Sequence, residues 1–370
     1  MARRQVFRPA FGNRPETIVG RDDVIQALVD GLRAAPGTRE RATLMVGQRG
    51  MGKTALLLDL EDRAADEGFV VARVSAGPTM LEEIVELIQL NGSRYVPAER
   101  PKVTGVSVGA MGFSAGLTFS DEARESFGFR VKLGLLCERL EEVGRGVLVL
   151  VDEVQAASDE LRTLATTYQH LVGDGRNVAV VMAGLPTSVS RVLNDKVLTF
   201  LNRARKVTLE PLALSSIRSY YAQTFRSRGH AWDDGVLDDA VSMTQGFPYL
   251  MQLLGYYLVE GADEGEAITR AELDDAMASA KLDLVENVYA PVLNALSPKD
   301  RELLMAMAPD HGTSRVSDLR ERLHVTDGQL QPYRSRLIAA NVVSSPRRGE
   351  LEFTIPVFGE YLSTLGDAGE

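Results

Sequence analysis

Gly47-Gln48-Arg49-Gly50-Met51-Gly52-Lys53-Thr54 is the stretch that decides the fold. Its spacing, Gly-x4-Gly-Lys-Thr, is that of a phosphate-binding loop, or P-loop. Upstream, Arg41-Ala42-Thr43-Leu44-Met45-Val46 is a short apolar run with β-branched residues and predicts a buried strand. Downstream, Thr54-Ala55-Leu56-Leu57-Leu58-Asp59-Leu60 is built from strong helix formers. Strand, glycine loop and helix together aim backbone N–H groups and a helix N-terminus at a phosphate. The residues from Gly47 to Gly52 form the cradle. Lys53 reaches the β- and γ-phosphates, and the Thr54 hydroxyl holds Mg²⁺. The expectation is nucleotide binding.

A second segment belongs with the first. In Gly146-Val147-Leu148-Val149-Leu150-Val151-Asp152-Glu153, an unbroken aliphatic run ends in two carboxylates. Such a run predicts a strand buried on both faces, as in a parallel sheet. At its C-terminal end Asp152 is placed to support Mg²⁺, usually through water, and Glu153 to polarise an attacking water. A helix-capping acidic pair after a core strand would look the same in isolation. The P-loop upstream favours the metal-and-water pattern known as Walker B.

The remaining segments fit around these two. Residues 1–17 read as an extended lead-in. Ile18 and Val19 precede an amphipathic helix from Asp22, and their place just before the P-loop strand suits packing on adenine. Val70–Val74 is a strand and Thr79–Leu90 a helix. Residues 102–120 alternate apolar with small or polar residues, rich in glycine, and predict an inserted β-hairpin. Asn177–Pro186 is a further buried strand. Thr187 or Ser188 after it would meet a γ-phosphate, unless the pair simply caps a helix. Around Phe200–Leu209 a basic cluster joins a strand. Arg203, in preference to Arg205, is the candidate arginine finger, in its own subunit or a neighbour's; a solvated basic turn explains the cluster equally well.

Beyond Glu210 the strand–helix alternation stops. Residues 211–288 read as a helical lid, with Pro248 opening an apolar, aromatic helix at Gly246-Phe247-Pro248-Tyr249. Residues 289–370 read as a winged-helix domain, three helices and a hairpin. Gln331, Arg334 and Arg336 on its third helix and Arg347 and Arg348 on its wing are suited to base edges and phosphates of double-stranded DNA. From Leu296 to Leu362, however, nine Lys/Arg face nine Asp/Glu, so the segment is neutral and equally suited to contacting protein.

Composition narrows the class. The chain has 370 residues, enough for two or three domains, and a net charge of −10, which excludes coating nucleic acid with the whole surface. No run of apolar residues is long enough for a membrane helix, and the basic N-terminus lacks the apolar core of a signal peptide. Cys137 is the only cysteine, and the four histidines have no metal-ligand spacing. These features predict a cytoplasmic protein.

With Gly20-Arg21, the P-loop, Asp152-Glu153-Val154-Gln155, Ala183-Gly184-Leu185-Pro186 and Gly246-Phe247-Pro248-Tyr249 in this order, the chain resembles the AAA-type ATPases. It is similar to the branch that holds archaeal ATPases, origin-recognition-like initiators and transposition-helper ATPases, with the STAND signalling NTPases as relatives. The resemblance implies an α/β P-loop NTPase domain over 1–210, a parallel sheet with helices on both faces and the P-loop strand central, then the lid, then the winged helix. It implies ATP and Mg²⁺ as cofactors and a homo-oligomer or a protein partner. Two features depart from the pattern. A polar sensor residue is expected where Ala183-Gly184 stands, and a lid arginine where Tyr249 stands. The Gly-x-Pro of the lid looks more like the STAND arrangement, in which the proline lies near the nucleotide. Both departures suit a slow switch, or a signalling scaffold with little hydrolysis.

Overall fold

The computed structural model describes residues 6–9, 14–96, 113–115, 117–119, 127–155, 157–196, 198–261, 267–310 and 312–367. The chain divides into two compact units. One comprises Asp22–Gly47 and Lys53–Leu209; the other comprises Met1–Arg21, Gln48–Gly52 and Glu210–Glu370.

The first unit is a doubly covered sheet. Strands β1 (Ala42–Val46), β2 (Phe69–Ser75), β5 (Gly146–Val154), β6 (Val178–Gly184) and β7 (Arg205–Thr208) run in the order β2-β5-β6-β1-β7. The pairings within it are parallel. Residues Val147–Val151 of β5 and the whole of β6 are buried, so neither face meets solvent, as their unbroken aliphatic runs require. The P-loop strand β1 is interior but lies next to the edge strand β7, and β6 holds the middle. The helices Lys53–Asp66, Met80–Gly92, Phe129–Glu141 and Asp159–Gly173 alternate with the strands. The last of these is capped by Ser158, whose hydroxyl accepts from Leu161 N. The lone Cys137 is buried on its helix, and burial pushes its thiol up to about 12, so it is inert at neutral pH.

The inserted hairpin differs from its expected form. Strands β3 (Phe113–Ala115) and β4 (Thr118–Phe119) pair antiparallel with each other. Both strands therefore lie in the second half of the segment predicted as a hairpin, and residues 102–112 of that segment lie outside the described residues.

The second unit is mainly helical. Helices Leu214–Ser227, Val236–Met243, Pro248–Gly261 and Arg270–Leu284 are joined by a short parallel pair, β8 (Ala231–Trp232) and β9 (Ala267–Ile268). The helix from Arg270 continues through a π turn at Val285–Tyr289 into Ala290–Asn294. Helices Pro298–Met307, Val316–Leu323 and Asp327–Ala339 follow. Strands β10 (Thr313–Arg315), β11 (Val343–Ser344) and β12 (Glu350–Phe353) form an antiparallel sheet in the order β10-β12-β11. β10 and the closing helix Phe358–Asp367 have no counterpart in the sequence reading.

The lead-in is not a passive tail. Phe7 is 2% exposed and sits edge-on to Tyr220 and Tyr221, ring centroids 5.5 and 5.8 Å away. A Cβ at Gly255 would lie 2.3 Å from the Phe7 ring, so helix Pro248–Gly261 needs glycine there to receive it.

Candidate active site

The sheet unit carries the reactive pair. Gly47 N–H donates to the Gly184 carbonyl (3.3 Å) and Leu209 N–H to the Val46 carbonyl (2.8 Å), which fixes the end of β1. Lys53 opens the helix Lys53–Asp66, and its Nζ donates to the Gly47 carbonyl at 2.8 Å. One residue on, the Thr54 hydroxyl donates to Asp152 Oδ2 at 2.7 Å. Asp152 is buried, and its Oδ1 accepts from Glu153 N–H at 2.8 Å. The hydroxyl and the carboxylate are hard oxygens, the donors that suit Mg²⁺. Among the described residues no group of three or more His, Cys, Asp or Glu is placed to hold a metal. A cation on Thr54 and Asp152 would draw its other ligands from phosphate and water.

Glu153 owes its position to a bulge. Between Val151 and Val154 the pairing of β5 with β6 slips: Val151 faces Met182 but Val154 already faces Gly184. The extra residue leaves Glu153 at φ 53°, a left-handed conformation that costs a non-glycine residue about 1–3 kcal/mol. The two adjacent carboxylates therefore diverge. Asp152 is buried against Thr54, and Glu153 is exposed to solvent. The same bulge explains Gly184. A Cβ there would lie 2.6 Å from the Val154 carbonyl oxygen, so Gly184, one of the two positions matched to the polar sensor, has no room for a side chain. Thr187 is the second residue of the helix Pro186–Leu193, but its side chain lies outside the described residues.

The loop segment Gln48–Gly52 groups with the helical unit. Gly50, at φ 77°, carries a second constraint: a Cβ there would meet Phe247 Cζ at 2.6 Å and Tyr249 Cβ at 2.9 Å. Tyr249 N–H donates to the Gly50 carbonyl at 3.1 Å. The Gly-Phe-Pro-Tyr turn thus lies on the P-loop, with Pro248 half-buried at the head of its helix. Gln48 is half-buried, and its side-chain nitrogen donates to the Asn341 carbonyl and to Thr354 Oγ1. That contact was invisible in the sequence, where Gln48 counts only as loop backbone. Met51 is buried and Arg49 exposed. Val19 is buried, and Arg21 beside it donates to the Glu210 carbonyl at 2.6 Å.

The two basic candidates of the sheet separate. Arg205 is held by its own unit, donating to the Ala27 carbonyl at 2.7 Å. Arg203 is exposed at the end of the short helix Thr199–Arg203 and lines, with Arg39, Tyr168 and Leu201, a cavity of about 170 Å³. β7 pairs with β1 from Thr43↔Arg205 to Val46↔Thr208, so Arg203 precedes the N-terminal end of these strands. Lys53 follows their C-terminal end. At least about 10 Å of strand intervenes, which rules out Arg203 as a finger for its own subunit's phosphates.

Of the residues expected to face DNA, Arg336 is already committed. Its guanidinium holds the buried Asp300 carboxylate through Nε (3.2 Å) and a second nitrogen (2.7 Å) and lies over the Tyr333 ring. It ties two helices together while its side chain stays half exposed. Gln331, Arg347 and Arg348 are exposed, and Arg334 is half-buried with a bond to Ser345 Oγ (3.4 Å).

Comparison with known proteins matches this geometry. Residues 17–181 match the AAA ATPase domain family. That segment is an AAA-type ATPase domain. Residues 286–362 of the ATPase match a Domain of unknown function (DUF8462). No curated protein matches its sequence. Among solved structures it is similar to the Walker-type ATPase paby2304 of Pyrococcus abyssi, at 17% identity and TM-score 0.70, covering 97% of this chain and 100% of that one. It is also similar to the Aeropyrum pernix ORC2 protein in ADPNP–ADP complexes, at 14% identity and TM-score 0.61 over 97% and 96%. Cdc6p from Pyrobaculum aerophilum follows at 15% identity and TM-score 0.51 over 98% and 97%. At such identities the likeness is one of fold. Among the described residues of the ATPase no helix is long and apolar enough to cross a membrane.

Proposed function

We propose that this ATPase is a nucleotide-controlled switch whose C-terminal segment engages double-stranded DNA. The observation that carries the catalytic part is the divergence of Asp152 and Glu153 at the β5 bulge, with Thr54 bonded to the first and the second left facing solvent. Lys53 and the loop from Gly47 to Thr54 bind the phosphates, and Thr54 and Asp152 hold Mg²⁺. A metal held there would supply charge neutralisation to the phosphates. Glu153 accepts a hydrogen bond from the attacking water and orients it toward the γ-phosphate. Val19 packs on adenine, Pro248 borders the nucleotide, and Thr187 touches the γ-phosphate. Arg203 acts on a neighbouring copy's nucleotide, which makes the working form a homo-oligomer.

For the output we take 1–210 as the ATPase domain, 211–288 as the lid and 289–370 as a winged helix. The order of three helices and an antiparallel sheet, with Arg347 and Arg348 on the β11–β12 turn, supports this reading. Gln331 and Arg334 then face bases or phosphates. A second reading, a nucleotide-gated scaffold with little hydrolysis and a protein partner, draws on the sensor-less Gly184 and the charge-neutral C-terminal segment.

The test is steady-state ATP hydrolysis by wild type and Glu153→Gln, with and without duplex DNA, over a protein concentration series. The switch predicts turnover that rises per subunit with concentration and responds to DNA. In the variant, turnover falls by about 10²–10⁴-fold while ATP still binds. Wild-type turnover that is negligible and indifferent to DNA would move the assignment to the scaffold.

A further inference from the structure

We infer that Gln48 is a positioning residue for ATP hydrolysis, tying the phosphate loop to the C-terminal segment through the Asn341 carbonyl and the Thr354 hydroxyl. The inference rests on the ATPase activity and is independent of what the C-terminal segment binds.

The contact joins three groups. Gln48 Nε2 donates both to the Asn341 carbonyl and to Thr354 Oγ1, the latter at 2.6 Å. Thr354 Oγ1 in turn donates to the same carbonyl at 2.5 Å. The amide orientation follows from these partners, because a carbonyl oxygen can only accept, so the nitrogen must face it.

Both anchors are fixed. Asn341 follows the helix Asp327–Ala339 at φ 54°, a left-handed conformation that asparagine tolerates, and its N–H donates to the Ile338 carbonyl (2.9 Å). Thr354 follows β12, and its N–H donates to the Val342 carbonyl (3.1 Å). The acceptors therefore mark the point where the third helix and the last strand of the C-terminal segment meet. At the other end, the Gln48 carbonyl accepts from Met51 N–H (3.4 Å), a bond that closes the turn of the loop itself. A shift of the helix or strand moves Gln48, and with it the loop amides that must converge on a phosphate. By the same linkage, nucleotide that orders the loop orders the 341–354 segment.

The test compares Gln48→Leu, Thr354→Val and Thr354→Ser in the full chain. Thr354→Val removes the hydroxyl at nearly constant volume, and Thr354→Ser keeps it. Each is measured for ATP turnover, for ATP affinity, and for amide hydrogen exchange of residues 342–354 with and without a non-hydrolysable ATP analogue. In wild type and Thr354→Ser the analogue slows exchange in this segment. In Gln48→Leu and Thr354→Val it still binds but gives no such protection, and kcat falls about five- to tenfold, equivalent to about 1–1.4 kcal/mol. Wild-type turnover together with wild-type protection in both variants overturns the inference alone, as does a Thr354→Ser as impaired as Thr354→Val. A wild type that binds no nucleotide overturns the inference and the ATPase assignment together.

Discussion

Asp300 shows how one residue can serve two neighbours. It is the N3 residue of the capping box that opens the helix Pro298–Met307 and also the partner of Arg336. Burial by itself would raise its carboxyl. The Arg336 guanidinium and the Ser297 hydroxyl outweigh that and hold it below the usual carboxylate range. A depressed folded value means that this stabilisation is full above about pH 4–5 and is lost as the pH falls through the folded pKa. Asp300→Asn is therefore expected to lower stability near neutrality by about 1–3 kcal/mol and to flatten the acid limb of a melting-temperature profile. An unchanged acid limb would show that the pair contributes nothing. The sequence displayed half of this: Ser297-Pro298-Lys299-Asp300 is legible as a helix start, but Arg336 lies 36 residues away and reads as a free cation on an exposed helix. The same divide runs through the active site. Lys53, Thr54, Asp152 and Glu153 announce themselves because their motifs are local. The side chain of Gln48 does not, because its partners are 293 and 306 residues away.

At the scale of elements, the strands that carry continuous aliphatic runs were legible because burial on both faces leaves a short, valine-rich apolar run. Short strands were not. β10 has Ser314 as its only buried residue, too little to leave a strand pattern in the sequence. The lead-in failed for a related reason, since two phenylalanines, Phe7 and Phe11, among basic and polar residues have no periodicity to betray them. Its role is nonetheless large. Phe7 fills a pocket of Tyr220, Tyr221 and Phe225, into which Gly255 opens. Phe7→Ala is expected to destabilise the helical unit by about 3–5 kcal/mol. Chemical denaturation followed by tyrosine fluorescence would measure it, and a loss below about 1 kcal/mol would mean that the segment packs only loosely.

For the whole molecule, a net charge of −10 sets the terms on which DNA could be approached. Attraction has to come from a local set of cations, Arg334, Arg347 and Arg348, against a repulsive background. The proposed engagement then predicts a linear fall of log affinity with log salt, and the double variant Arg347→Ala, Arg348→Ala should reduce that slope by about 2. A slope untouched by the substitutions would remove the wing from the interface. The division of the chain adds a constraint of another kind. The helical unit is assembled from three separate stretches of sequence, the first of which carries Phe7. More than two hundred residues separate Phe7 from the tyrosines it packs against. At about 5–20 residues per second of synthesis, that segment spends roughly 10–40 s outside the ribosome before its pocket exists. Throughout that interval the nascent chain displays an unsheltered aromatic, a natural handle for chaperones and a window in which proteases can act.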